Sequence, residues 1–165
     1  MSQEQSDFAE FYAASRDDCL RTVLATVRDV DQAQDLVAEA FARAWASWRS
    51  VSRHPAPRAW VVRTALNLSV SSWRRHRREL PLTDHDAPAC SPASSRVDTE
   101  LTAVLQRLPA RQRQVVALRI FLDLDTAQTA EVLGIAPGTV TAHLTRALTA
   151  LRTEFAAHAS ERNPS

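Results

Sequence analysis

Apolar residues recur every three or four positions along most of this chain, which is the spacing of helices that bury one face. In the first run, Phe8, Phe11, Tyr12, Cys19, Leu20, Val23, Leu24 and Val27 follow that pattern with acids between them. A turn is expected at Arg28–Asp31, with Asp31 as the N-cap of a second helix from about Gln32 to Trp48. That helix would bury Leu36, Ala40, Phe41, Ala44 and Trp48, and expose Asp35, Glu39 and Arg43 at four-residue spacing. A Glu39–Arg43 pair would support the helix by only tenths of a kcal/mol. The segment Ser50–Pro57, SVSRHPAP, carries two prolines that rule out a continuous helix, so it reads as a loop. From Arg58 to about Glu79 the pattern resumes with two stripes. One is apolar (Ala59, Val62, Leu66, Val70, Trp73) and the other polar (Arg63, Asn67, Ser71, Arg74, Arg78). Leu80–Ser95 has three prolines and no periodicity, and reads as a flexible linker.

Beyond the linker, Leu101, Val104, Leu105 and Leu108 mark a helix over Val97–Leu108, and after Pro109 another runs from Ala110 to about Leu122. The stretch Asp125–Leu151 contains both glycines of the chain, Gly134 and Gly138. Ala127, Ala130, Val132 and Leu133 precede them, and Val140, Leu144, Ala147, Leu148 and Leu151 follow, each set at helical spacing. Gly134 suits a C-cap with positive φ, and Pro137 suits the first turn of the next helix. Two helices on a tight glycine turn make a helix-turn-helix, whose second helix enters the DNA major groove. Its solvent face is expected to carry Thr139, Thr141, His143 and Arg146, groups able to meet phosphates and base edges. A helical hairpin with a merely polar outer face is the plainer alternative. The tail beyond Phe155 is small and polar, and is expected to fray.

Charge sharpens this picture. The net charge is +1, but residues 1–50 hold five Arg against nine acids, while residues 51–80 hold seven Arg against one. An acidic first segment and a basic second one point to two different partners. The basic segment ends in WRRHRR, with four Arg in five positions, more than a helix C-terminus needs to complement its dipole. It is a candidate nucleic-acid surface. All 20 cations are Arg, which suits phosphate recognition, although the absence of Lys also fits a GC-rich genome. Cys19 and Cys90 lie far apart with no metal-ligand spacing, so neither a zinc site nor a disulfide framework is expected. No signal peptide is expected from the polar start MSQEQSDF, and the sequence shows no membrane-length apolar run, no Gly-rich phosphate loop and no nucleophile motif. A soluble, cytoplasmic, non-enzymatic protein with no cofactor or metal is the expectation.

The two halves together resemble the extracytoplasmic-function (ECF) sigma factors of bacterial RNA polymerase. The resemblance rests on DQAQDLVAEAFARAWASW (Asp31–Trp48), PRAWVVRTALNLSVSSWRR (Pro57–Arg75) and LPARQRQVVALRIFLDLDTAQTAEVLGIAPGTVTAHLTRALTALR (Leu108–Arg152). It implies an all-α fold with region 2 at residues 7–80, a flexible linker at 81–96 and region 4 at 97–155. It implies docking on core polymerase through Asp35, Leu36, Glu39 and Arg43. It also implies capture of the melted −10 element by Arg53, His54, Arg63, Asn67, Arg74 and Arg75, and reading of the −35 duplex by Thr139, Thr141, His143 and Arg146. Partners would be core polymerase and promoter DNA, with no membrane; an anti-sigma factor is a further candidate, since family members are often sequestered by one. The chain departs from the family at Ala38, where Gln is usual, at Gln128–Thr129, where Glu-Ile is usual, and at Ala136, where Ser often caps the recognition helix. Thr141-Ala142-His143 also stands where a basic pair is common. A stand-alone regulator of the LuxR type, which shares a GTVTAHL-like helix, is the competing reading; it leaves residues 31–78 without a purpose.

Overall fold

The computed structural model describes residues 1–79 and 96–162, all of whose regular elements are helices. The expected linker falls almost wholly outside them. The chain divides into two compact units, Met1–Ala89 and Cys90–Ser165.

The first unit contains α1 (Gln3–Val27), α2 (Val30–Ala46), the single turn α3 (Trp48–Val51) and α4 (Pro57–Glu79). Ser2 and Gln5 form a capping box at the start of α1, and Arg28 ends that helix in the left-handed region with φ 64°. The N-cap of α2 is Asp29 rather than Asp31: its Oδ1 accepts from the Gln32 N–H at 3.0 Å. Both aspartates satisfy the composition rule, and only the backbone direction after Arg28 selects between them. Ser50 and Val51, expected in a loop, close α3, with Val51 buried.

The core of this unit is made by small and β-branched side chains: Val23 of α1, Ala33, Val37, Ala40 and Ala44 of α2, and Val61, Val62 and Ala65 of α4. Small residues let α2 lie close against both α1 and α4. The apolar stripe of α4 is therefore rotated from the expected one, since Val70 is 50 % exposed and Val61 is fully buried. Over the other end of the core, Phe8, Phe11, Tyr12, Phe41, Trp45 and Trp48 form a ring cluster with centroids 4.9 to 6.4 Å apart. Ion pairs Glu4–Arg49 (2.9 Å) and Asp18–Arg58 (3.2 Å) tie α1 to α3 and α4. Burial pushes the Cys19 thiol up to about 12, so it packs as an inert hydrophobe.

The second unit contains α5 (Arg96–Gln106), α6 (Ala110–Phe121), α7 (Thr126–Leu133) and α8 (Pro137–Arg162). Val104, Leu105, Leu108, Val116, Ala147 and Leu151 form one core cluster; Val115, Ala130 and Val140 form a second beneath the α7–α8 turn. Buried Arg113 donates to the Leu108 carbonyl at 3.1 Å, and Arg119 donates to the Leu124 carbonyl at 2.6 Å, fixing the entry to α7. Asp125 and Gln128 make a capping box, and Gly134 closes α7 at φ 64°. Thr129 is fully buried and its hydroxyl has no partner. Two expectations change. Leu148 is 40 % exposed instead of buried, and α8 runs to Arg162 instead of fraying past Phe155. Ion pairs Arg107–Glu154 (2.7 Å) and Glu100–Arg162 (2.6 Å) bind the second half of α8 to α5 and to the residue that follows it, a long-range support that local composition does not reveal.

Candidate functional surfaces

Three surfaces carry the expected residues, two on the first unit and one on the second. On α2, Asp35 and Glu39 are exposed one turn apart, with exposed Ala38 and Ala42 beside them. Leu36 is not among them, because it is 8 % exposed and belongs to the core. Trp45 continues this side of α2 and is 43 % exposed, held by its contact with Phe8 at 5.1 Å. Sequence periodicity gave no reason to single it out; an aromatic residue three positions beyond Ala42 was the available signal. The surface is an acidic helix face with one aromatic side chain at its margin, the composition of an interface patch with an anchor.

Arg43 borders this acidic face. Its Nε donates to Glu39 Oε1 at 2.9 Å, and its side chain lines an open cleft of about 470 Å³ between α2 and α4. Ala46, Ser47, Trp60, Thr64, Asn67, Leu68 and Ser71 complete the cleft. Trp60, Thr64, Asn67 and Ser71 recur at spacings of four, three and four, so they form a single stripe on α4. The Thr64 hydroxyl donates to the Trp60 carbonyl (2.8 Å) and Ser71 to the Asn67 carbonyl (3.1 Å), so both face the cleft as acceptors. A flat indole, an amide, a guanidinium and hydroxyl acceptors around a volume of this size can stack and hydrogen-bond a nucleobase. Of the expected strand-contacting residues, the structure brings only Asn67 into this cleft, whose lining it shares with Arg43.

The others lie around it. Arg63 and Arg74 are exposed on α4 at positions that continue the Asn67 stripe, and Arg53 is exposed on the loop between α3 and α4. His54 is half-buried, and its Nδ1 accepts from the Ala56 N–H at 3.0 Å. The side chain of Arg75 falls outside the described residues, as do those of Trp73 and Arg78. Trp60, Thr64 and Ser47 were missed because the cleft joins two helices that local patterns treat separately.

On α8, Val140, Leu144, Ala147 and Leu151 turn toward the core. Gly138, Ala142, Thr145 and Thr149 each stand two residues before one of these, about 200° around the helix, and are exposed. The outermost stripe is thus glycine, alanine and threonine. Thr139, Thr141 and Arg146 are exposed on its two flanks. His143 departs from the expected solvent face: it is half-buried, with Nδ1 enclosed and without a partner. Thr141, Thr145, Thr149 and Thr153 each donate their hydroxyl proton to the carbonyl four residues back, at 2.9 to 3.2 Å. Those hydroxyls remain acceptors, and their methyl groups remain available for apolar contact. No carboxylate interrupts residues 137–153, where Arg146 and Arg152 are the cations. Such a face suits a groove lined by phosphates.

Among the described residues no group of His, Cys, Asp and Glu is placed to hold a metal ion, and no helix is long and apolar enough to cross a membrane.

Comparison with known proteins agrees with the division into two units. Residues 11–79 match the family model for sigma-70 region 2, and residues 98–151 match that for sigma-70 region 4. The RNA polymerase sigma-E factor of Streptomyces coelicolor is 32 % identical over 157 residues, covering 93 % of this chain and 89 % of that protein. The ECF RNA polymerase sigma factor SigL of Mycobacterium tuberculosis is 34 % identical over 144 residues, covering 80 % of this chain and 79 % of that one. Among solved structures, the sigma factor RpoE of Bartonella quintana, in a co-crystal with the anti-sigma factor NepR, has a similar fold. The TM-score is 0.71 at 22 % identity, covering 89 % of this chain and 95 % of that one.

Proposed function

Because this chain belongs to the sigma-70 family of RNA polymerase sigma factors, in its ECF group, we propose a division of its work among the three surfaces. As a sigma factor it is a transcription initiation factor that binds core RNA polymerase and promoter DNA. A stand-alone LuxR-type regulator is not favoured, since a region 2 match occupies residues 11–79. Localisation in the cytoplasm and the absence of any catalytic activity of its own belong to this reading.

The acidic face of α2, with Asp35, Glu39 and the rim residue Trp45, docks on core polymerase. The cleft between α2 and α4 takes one flipped base of the non-template −10 strand. Trp60 stacks on it, Asn67 and Arg43 meet its polar edge, and Arg53, Arg63, Arg74 and Arg75 hold the adjoining phosphates. Flipping a base costs a few kcal/mol; stacking on one aromatic ring returns about 1–3 kcal/mol of that. The recognition helix α8 enters the major groove at the −35 element. There Arg146 reaches phosphate or base from one flank, Thr139, Thr141 and His143 contribute further contacts, and Ala142 and Thr145 touch base edges through methyl groups. An anti-sigma factor covering these surfaces is a further partner in this reading, supported by the anti-sigma complex of a protein with the same fold.

The observation that carries the proposal is the placement of an open, aromatic-walled cleft on α4 immediately beside the acidic face of α2, with Glu39 and Arg43 in contact across their border. The test is charge reversal. Replacing Asp35 and Glu39 together by Arg is expected to abolish binding to core polymerase without changing the thermal unfolding of the chain. Unchanged binding would remove the docking assignment.

A further inference from the structure

The loop between α3 and α4 satisfies its backbone donors in an unusual way. Arg53 N–H donates to the Ser50 carbonyl (3.2 Å) and His54 N–H to the Val51 carbonyl (3.0 Å). Pro55 and Pro57 have no N–H to place. The remaining donor is Ala56, the residue whose carbonyl accepts the first helical bond of α4 from Trp60 N–H at 3.1 Å. At such a position a Glu or Gln three residues on commonly reaches back to the N–H; here that residue is Ala59, which has no side-chain acceptor. The imidazole of His54 supplies the acceptor, through Nδ1 at 3.0 Å in a half-buried setting. Because Nδ1 accepts, the ring carries its proton on Nε2.

We propose that His54 is a positioning residue for strand capture, holding the loop and the start of α4 through Nδ1 in the shape that seats the −10 strand. This rests on reading the α2–α4 cleft as the strand-capture site. Trp60, the wall of the cleft, lies one helical turn after Ala56, so a loosened start of α4 moves the stacking surface first. Arg53 precedes His54 directly, so the same bond fixes where that guanidinium stands relative to the strand.

The experiment compares His54→Ala with His54→Asn in holoenzyme reconstituted from the full chain and core polymerase. Promoter opening is read by the fluorescence of 2-aminopurine placed in the non-template −10 strand. Asn carries Oδ1 where His carries Nδ1, so it keeps the acceptor for Ala56 N–H while lacking the far edge of the ring. His54→Ala is expected to reduce opening about tenfold, the effect of leaving one half-buried N–H unpaired, with His54→Asn within about twofold of the parent. Core binding and binding of closed −35 duplex stay unchanged in both. If His54→Asn is as defective as His54→Ala, the ring edge touches DNA and the positioning role is wrong. If His54→Ala opens promoters normally, or loses core binding in step with opening, the proposal also falls. Asn67→Ala is the separate control: normal opening there would overturn the strand-capture reading itself.

Discussion

The two surfaces proposed to face DNA are built on opposite plans. The cleft of the first unit is concave, drawn from two helices, and lined by side chains that stack, donate or accept. The outer face of α8 is convex, drawn from one helix, and made of glycine, alanine and threonine flanked by a single nearby arginine, Arg146. A flipped base brings its own shape and needs a matching pocket, whereas a duplex groove already presents base edges to anything slim enough to enter. In the proposed reading, small side chains on α8 suit a filled groove, and Trp60, Arg43 and Asn67 around the cleft suit an extruded base.

The largest effect should show that the two plans are energetically separate. Leu105 is fully buried in the core of the second unit, and Leu105→Ala should cost about 2–5 kcal/mol there. Thermal unfolding is expected to show one transition lowered and the other unmoved, with core binding retained. A common shift of both transitions would mean the units fold as one. Next in size, Trp60→Ala should weaken capture of a single-stranded −10 oligonucleotide by holoenzyme by about 1–3 kcal/mol while leaving −35 duplex binding intact. Equal losses on both DNAs would contradict the assignment of the cleft.

On the other surface, Arg146→Ala should weaken −35-dependent transcription by ~1–3 kcal/mol if the guanidinium reads a base. A uniform loss over all promoter sequences would assign it to phosphate instead. Replacing thymine by uracil in the −35 duplex tests the methyl contacts of Ala142 and Thr145, each removed methyl lowering affinity about fourfold. A last effect, of comparable size but opposite sign, concerns Thr129, whose buried hydroxyl is unpartnered. Thr129→Val removes the unpaired group at constant shape and should stabilise the second unit by about 1 kcal/mol, seen as a higher melting temperature for that transition alone.

The same contrast decides what could be read from the sequence. The α8 surface was largely legible because the helix-turn-helix is local: Gly134 at the only position of α7–α8 that needs a positive φ, and Val140 to Leu151 at regular spacing, define which side faces out. Its outermost stripe was not, because Ala142 and Thr145 have little chemistry to attract notice and His143 turns partly inward. The cleft was legible only in Asn67. Arg43 is a neighbour of Glu39 on the exposed side of α2, as the spacing predicts, and nothing within α2 indicates that the Trp60 stripe of α4 lies across from it. Local caps and long-range ties account for the remaining differences: Asp29 displaced Asp31 through a single bond to Gln32, and Arg162 extended α8 through its pair with Glu100.

The central claim is that this chain directs core polymerase to promoters through two distinct elements. Its most direct test is run-off transcription from a library of genomic fragments by core polymerase, freed of other sigma factors and supplied with the purified protein. Discrete starts are expected that share one motif near −35 and another near −10, with the starts lost on mutating either motif. Failure to bind core polymerase, or starts indifferent to both motifs, would contradict it.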